Sequence, residues 1–142
     1  MKFKKLNSSF EVNVNTAKYA IDWAKAVSKP QQAAKNFLHP YWKYDNVLEE
    51  FLIPGSKLRI DLLNLTKIED YSGVAIEISP ESSHSFNPFF HKSRVSRFLA
   101  SVKRDLGKME WVKENGFLYV CLNEADLKNL SVEMFLSKGL SL

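Results

Sequence analysis

The sequence predicts a single α/β domain, and three observations carry that prediction. Two short runs, Lys57 to Asn64 and Gly73 to Ser79, alternate residues with the period of a strand. A long helical stretch then extends from about His91 to Glu114 and stops at Asn115-Gly116. Directly after the stop comes Phe-Leu-Tyr-Val-Cys-Leu, Phe117 to Leu122, a nearly continuous apolar run of the kind buried on both faces. A strand reached through a long helix is expected to join the same sheet in parallel.

Taken in order, residues 1–29 form an N-terminal extension. A basic lead (Lys2, Lys4, Lys5) precedes an alternating run at Phe10, Val12 and Val14, and then a helix opened by Thr16 as N-cap and carrying Tyr19, Ala20, Trp23 and Ala24. Pro30 ends that helix or begins the next. Gln31 to Phe37 and Tyr41 to Glu50 read as helical or mixed, with a break at His39-Pro40, because proline disfavours the α conformation in the residue before it. Pro54-Gly55-Ser56 is a turn, so Glu50 to Ile53 is expected as the first strand of a meander with the two alternating runs. A loop rich in Ser, Pro and Asn, Pro80 to Pro88, leads into the long helix. Asn123 caps a closing helix with Ala125, Leu127 and Leu130. The expectation is a core over 30–125 in the order α-β-β-β-α-β, a mixed sheet flanked by helices, with an extra N-terminal strand and helix and a C-terminal helix over 126–142.

The chain has 142 residues, 45% hydrophobic and 13% aromatic, enough for one packed core. Its 20 Lys and Arg against 16 Asp and Glu leave a net charge of +4, which permits a nucleic-acid partner without identifying one. The single cysteine, Cys121, excludes intrachain disulfides and clustered Cys/His zinc sites and fits a reducing compartment. The basic start is not followed by an apolar stretch of signal-peptide length, and no window approaches the ~20 apolar residues that cross a bilayer. A soluble cytoplasmic protein with no membrane partner is therefore expected.

The acids fall at informative places. In the second strand Asp61 shares a face with Arg59 while Leu58, Ile60 and Leu62 take the other, and in the third Glu77 stands opposite Val74, Ile76 and Ile78. Two neighbouring strands that each carry a mid-length carboxylate on that face bring like charges together, and these repel unless a cation lies between them. The alternative is a solvated face. On a helical wheel of ~100° per residue with Val102 at 0°, Val95, Leu99, Leu106 and Met109 form an apolar arc, and Asp105 falls near about −60°, between Phe98 and Val112. An acid there is costly unless it is paired or faces a polar cavity. His84, seven residues past Glu77, can fold back over the end of that strand. Lys92, Arg94, Arg97, Lys103, Arg104, Lys108 and Lys113 cluster on the long helix; Lys92, Arg97, Arg104 and Lys108 lie on the side away from Val102, a solvated face or a phosphate-contacting one. Phe86, Phe89 and Phe90 read as packing under the loop.

This ordered set resembles the core of the PD-(D/E)XK nuclease superfamily, whose fold is the restriction-endonuclease-like α/β core. Glu49-Glu50-Phe51, Pro54 to Asp61, Ala75-Ile76-Glu77-Ile78, His84, and Lys103-Arg104-Asp105 followed by Trp111 and Asn115-Gly116-Phe117 are similar to the very-short-patch-repair-like branch, and within it to the phage homing endonucleases called EDxHD. The resemblance covers roughly residues 45–125 and implies Mg²⁺- or Mn²⁺-dependent hydrolysis of double-stranded DNA. It places the signature acids on Glu50 (or its neighbour Glu49), Asp61 and Asp105 and the histidine on His84, with Glu77 at the superfamily's second strand acid. Asp61, Glu77 and Glu50 would be metal ligands, and His84, oriented by Asp105, the proton-transfer group. Lys57, Arg59, Lys92, Arg94, Arg97, Lys103, Arg104 and Lys108 would contact DNA.

The chain departs from the pattern where the superfamily has a lysine two residues after the strand acid: here it is Ser79, so charge stabilisation falls to His84 or to Lys57, Lys103 or Arg104. The leading expectation is a metal-dependent homing endonuclease of the phage type, acting in the host cytoplasm, with a homodimer where both strands are cut. The alternatives are a junction-resolving nuclease and a non-catalytic nucleic-acid-binding module in which the acids form a salt-bridged cluster.

Overall fold

The computed structural model describes residues 1–79 and 92–142, without the side chains of 92–98 and Ser101. His84, Phe86, Phe89 and Phe90, and the side chains of Lys92, Arg94, Val95, Arg97 and Phe98, lie outside the described residues. The elements are β1 (Lys2–Lys4), β2 (Glu11–Asn13), a 3-10 turn (Thr16–Tyr19), α1 (Lys29–Trp42), β3 (Val47–Leu52), β4 (Arg59–Asn64), β5 (Gly73–Ile78), α2 (Lys92–Glu114), β6 (Phe117–Leu122), α3 (Glu124–Lys128) and α4 (Val132–Ser137). The main sheet has the order β3-β4-β5-β6: β3, β4 and β5 form the antiparallel meander, and β6 returns through α2 to lie parallel to β5. β1 and β2 pair as a separate antiparallel hairpin. No described helix is long and apolar enough to cross a membrane.

The sheet is the middle of three layers. On one face Ala34, Leu38 and Trp42 of α1 and Phe135 of α4 pack on Val47, Leu62, Val74, Ile76, Val120 and Leu122. On the other, Phe3 of β1 and Trp111 and Val112 of α2 pack on Leu48, Phe51, Ile60, Leu63, Ala75 and Phe117. Phe3, Phe51, Trp111 and Phe117 are in ring contact there, with centroids 4.9 to 6.4 Å apart.

The N-terminal helix expected from Thr16 through Ala24 is only the one 3-10 turn. Asn15, not Thr16, caps it, accepting from the Ala17 amide, and the chain then pairs alongside β3 through Ala20 and Leu48. Pro30 begins α1, in the first turn where its missing N–H costs nothing, and Ser28 caps the helix. The break expected at His39-Pro40 does not occur. Pro40 lies in the last turn, Lys43 N still donates to His39 O, and the buried Leu38 and Trp42 hold that turn on the sheet. The single C-terminal helix is divided into α3 and α4 because Ser131 caps a new helix whose Phe135 is fully buried.

Two packing details set the geometry of the α2 side of the sheet. The first is that Leu58, Ile60 and Leu62 do not share a face. Ile60 packs with Phe51 on the α2 side and Leu62 on the α1 side, while in β3 Val47 and Phe51 divide the same way. Both strands turn over at the Glu50–Asp61 step, between the pairs Glu49–Leu62 and Phe51–Ile60. Glu50 carries a φ of +53°, a left-handed conformation uncommon outside glycine. The second detail is the rotation of α2. Leu99 and Leu106, expected on the buried arc, are exposed, whereas Trp111 and Val112 are buried. A tryptophan ring outweighs leucines in buried area, and Trp111 is also tied by Nε1 to Lys4 O at 2.6 Å, so the Trp111 side of the helix faces the sheet.

Because Phe3 is buried inside the aromatic cluster, the N-terminal extension is part of the core. Phe3→Ala is expected to lower the unfolding free energy by about 3–4 kcal/mol, measured as a shift of the urea midpoint at unchanged slope. A loss under about 1 kcal/mol would show the hairpin to be a dispensable appendage.

Candidate functional site

β4 and β5 pair from Asn64–Val74 to Leu62–Ile76 and no further. Beyond that pair, side chains complete what the backbone leaves open. The Asp61 amide donates to Glu77 Oε1 at 3.2 Å, and the Ile78 amide donates to Asp61 Oδ2 at 2.7 Å. Each carboxylate is thus fixed by the other strand's backbone, in the gap where the strands part. Glu77 lies on the same face of β5 as Ala75, beneath α2, and it is buried.

A cleft of about 420 Å³ opens over this pair. It is lined by the acids Glu50, Asp61, Glu77 and Asp105, by Lys57, Arg59, Arg104 and Lys108, and by Leu58, Ile78, Ser79, Tyr119 and Cys121. The acids are buried or half-buried, whereas Lys57, Arg59 and Arg104 are exposed, so a basic rim surrounds an acidic floor. Glu50, Asp61, Glu77 and Asp105, singled out on separate elements, come together here. Of the basic residues singled out, Lys103 is exposed on α2 away from the cleft lining. His84 and the side chains of Lys92, Arg94 and Arg97 fall outside what the structure describes.

The acidic pair Glu49-Glu50 is divided between two environments. Glu49 is bound by Lys35, whose side chain is fully buried and whose Nζ lies 3.0 Å from the carboxylate while also donating to Asp22 O and Lys25 O at 2.6 and 2.7 Å. Glu50 lines the cleft. Buried Gln31 spans the two, with Nε2 donating to Glu49 Oε2 at 2.9 Å and to Glu50 Oε1 at 3.3 Å. Arg59 Nη1 donates to Glu50 O at 2.9 Å. These bonds hold Glu50 in its left-handed conformation, which costs on the order of 1–3 kcal/mol and persists only where the surroundings over-determine it.

The helical wheel puts Lys108 on the solvent side of α2. With the helix rotated toward Trp111, it instead reaches the floor of the cleft and pairs with Glu77 Oε2 at 3.0 Å. Gln31 and Lys35 are not singled out by the sequence reasoning at all. Their signal is nonetheless present: Gln31, Ala34, Lys35, Leu38 and Trp42 follow helical spacing, so a lysine sits on the buried stripe of α1.

Burial, above all, pushes Asp61 up to about 6 and Glu77 up to about 7. Repulsion from Glu50 and Glu49 adds to the first and repulsion from Asp61 to the second, while Lys108 and the backbone bonds oppose the rise. The Tyr119 hydroxyl and the Cys121 thiol are likewise pushed up by burial, so both stay protonated near neutrality, and Cys121 is not a thiolate nucleophile. Among the described residues no three His, Cys, Asp or Glu side chains stand close enough together to hold a metal ion. What the cleft offers a cation is the Asp61–Glu77 pair with Glu50 in the same lining. This all-oxygen donor set fits Mg²⁺ or Mn²⁺ in kind.

Both carboxyls hold protons more tightly in the folded protein than in the unfolded chain. The native state therefore binds the extra protons between about pH 4 and 7, and stability present below that window is lost as pH rises through it. The melting temperature is expected to fall from pH 5 to pH 8, by a free energy on the order of a few kcal/mol. Glu77→Gln should flatten the profile; a slope as steep as the parent's would place the cause elsewhere.

The chain matches no protein-family model, no curated protein and no solved structure, so the chemistry of the cleft is read from its own residues.

Proposed function

We propose that this protein is a divalent-metal-dependent DNA endonuclease of the homing type, hydrolysing phosphodiester bonds in double-stranded DNA at the cleft over Asp61 and Glu77. The observation that supports it is the convergence of Glu50, Asp61, Glu77 and Asp105 on one cleft with an exposed Lys57, Arg59 and Arg104 rim. A basic rim that binds a polyanion and an acidic floor that binds a hard cation are what metal-dependent phosphodiester hydrolysis uses together.

In this reading the Asp61–Glu77 pair would hold Mg²⁺ or Mn²⁺, with Glu50 in the same lining drawn toward it, and the ion would supply Lewis-acid stabilisation of the phosphate and activation of water. The rim cations bind backbone phosphates on either side of the scissile bond and fix the register of the strand without reading its bases. The protonated Tyr119 hydroxyl is a hydrogen-bond donor at the cleft wall. His84, the histidine that the resemblance singles out, would carry the proton to or from the reacting oxygens. Ser79 lines the cleft where the superfamily places a lysine and supplies no charge there. Cutting both strands requires two such clefts, hence a homodimer, or sequential nicks by one.

One observation favours a second reading. The Lys108–Glu77 ion pair is what a salt-bridged acidic cluster in a non-catalytic DNA-binding module would contain. A junction-resolving nuclease differs from the first reading in substrate and not in chemistry.

Incubation with long linear, supercoiled and branched DNA separates these readings. Discrete Mg²⁺-dependent products, absent with EDTA, abolished in Asp61→Ala and reduced about 10²–10⁴-fold in His84→Ala, are expected; cleavage confined to branched DNA would select the resolvase. Salt-sensitive binding with no cleavage of any substrate would select the binding module. Arg104→Ala should weaken DNA binding across sequences and lower the salt slope by about 1.

A further inference from the structure

The carboxylate pair already has a cation in it. Glu77 Oε1 and Asp61 Oδ2 are taken by backbone amides, at 3.2 and 2.7 Å, and Glu77 Oε2 is taken by Lys108 Nζ at 3.0 Å. Lys108 is therefore the one positive group bonded directly to this pair among the described residues, and its side chain is only 18% exposed. A divalent cation that takes Glu77 Oε2 from the same pair would stand close beside the ammonium on that oxygen, and the repulsion of the two positive charges in the half-buried cleft favours one over the other. Lysine is suited to giving way: its charge rides on a flexible four-carbon stem with no fixed fork geometry. Arg104 stands four residues earlier on α2 and lines the same cleft, so an ammonium released from Glu77 comes to lie beside Arg104 on one helix face.

We infer that Lys108 is a resident counterion that keeps the Asp61–Glu77 pair compensated until a divalent cation displaces it, and that the freed ammonium then pairs with a phosphate of the bound DNA. Lys108 is thus a competitor in cation binding and a partner in DNA binding, and its removal should change the two in opposite directions. The inference rests on the nuclease reading for the identity of both ligands.

The test uses the full chain and Mg²⁺ alone, by calorimetric titration at pH 8.5, with circular dichroism as the check on folding. Lys108→Met is expected to bind Mg²⁺ about tenfold or more tightly than the parent, and Lys108→Arg within about twofold of it. In Ca²⁺, Lys108→Met should bind duplex DNA more weakly, with a salt slope lower by about 1. On the parent protein, lysine acylation read by mass spectrometry should show Lys108 becoming more reactive on adding Mg²⁺ while Lys57 does not; this needs no variant to fold. Unchanged or weaker Mg²⁺ binding in Lys108→Met, or unchanged Lys108 reactivity while the parent binds Mg²⁺, would overturn the exchange and leave the nuclease reading standing. Absence of Mg²⁺ binding in parent and variants alike would remove both.

Discussion

A sheet that stops pairing part-way along two neighbouring strands leaves backbone groups open, and here two carboxylates occupy that opening. Asp61 binds the Ile78 amide and Glu77 binds the Asp61 amide, so each acid is part of the sheet as well as of the cleft. A solvated surface acid can be moved by a rotamer change; these two cannot move without freeing a buried donor. The position of β5 next to β6 matters for the same reason, since β6 continues to pair with β5 through Ile78–Leu122, where β4 no longer does. The gap is therefore one-sided, closed toward β6 and open toward β4.

The second strand pair around the cleft is fixed from the opposite layer. Lys35 is buried under α1 with an acid and two carbonyls as partners, an arrangement that offsets the cost of burying an ammonium through its hydrogen bonds. Through Glu49 and Gln31 it is linked to Glu50, on the far side of the sheet's turn-over. The polar network thus ties α1 to a residue of the cleft that α1 does not face. Glu50's strained backbone and the reversal of faces at Glu50–Asp61 are one feature: a positive φ in one strand lets Phe51 and Ile60 enter the α2-side core while Val47 and Leu62 remain in the other.

Much of this is legible in the sequence. Alternation locates β4 and β5, the apolar run locates β6, and Gly116, with a φ of +77°, ends α2 where the Asn-Gly pair places the stop. Asp61 and Glu77 are legible as mid-strand acids opposite apolar residues and Asp105 as an acid inside an apolar arc, and all three line one cleft. What escapes has physical causes. Period-two reasoning presumes a constant pleat, so it cannot see two strands turning over at one step. The wheel treats apolar residues alike and is centred on aliphatic ones, whereas the burial of one tryptophan ring sets the rotation of α2 and carries Lys108 inward. A three-residue strand with lysine on either side of Phe3 has no period at all; only the aromatic cluster it enters identifies it.

The bonds that clamp the N-terminal hairpin connect distant parts of the chain. The Lys4 amide donates to Asn115 Oδ1 across a separation of 111 residues, and Trp111 Nε1 donates back to Lys4 O across 107. During synthesis, then, β1 waits for the last turn of α2 before its core is complete. Until that moment Phe3 and the ring cluster it fills are open to water. The α1-side core is completed later still, because Val120 and Leu122 of β6 and Phe135 of α4, which it buries, follow α2 in the chain; neither face of the sheet is sealed until the chain past α2 has been made, and long loop closure of this kind favours a slow final step over early local collapse.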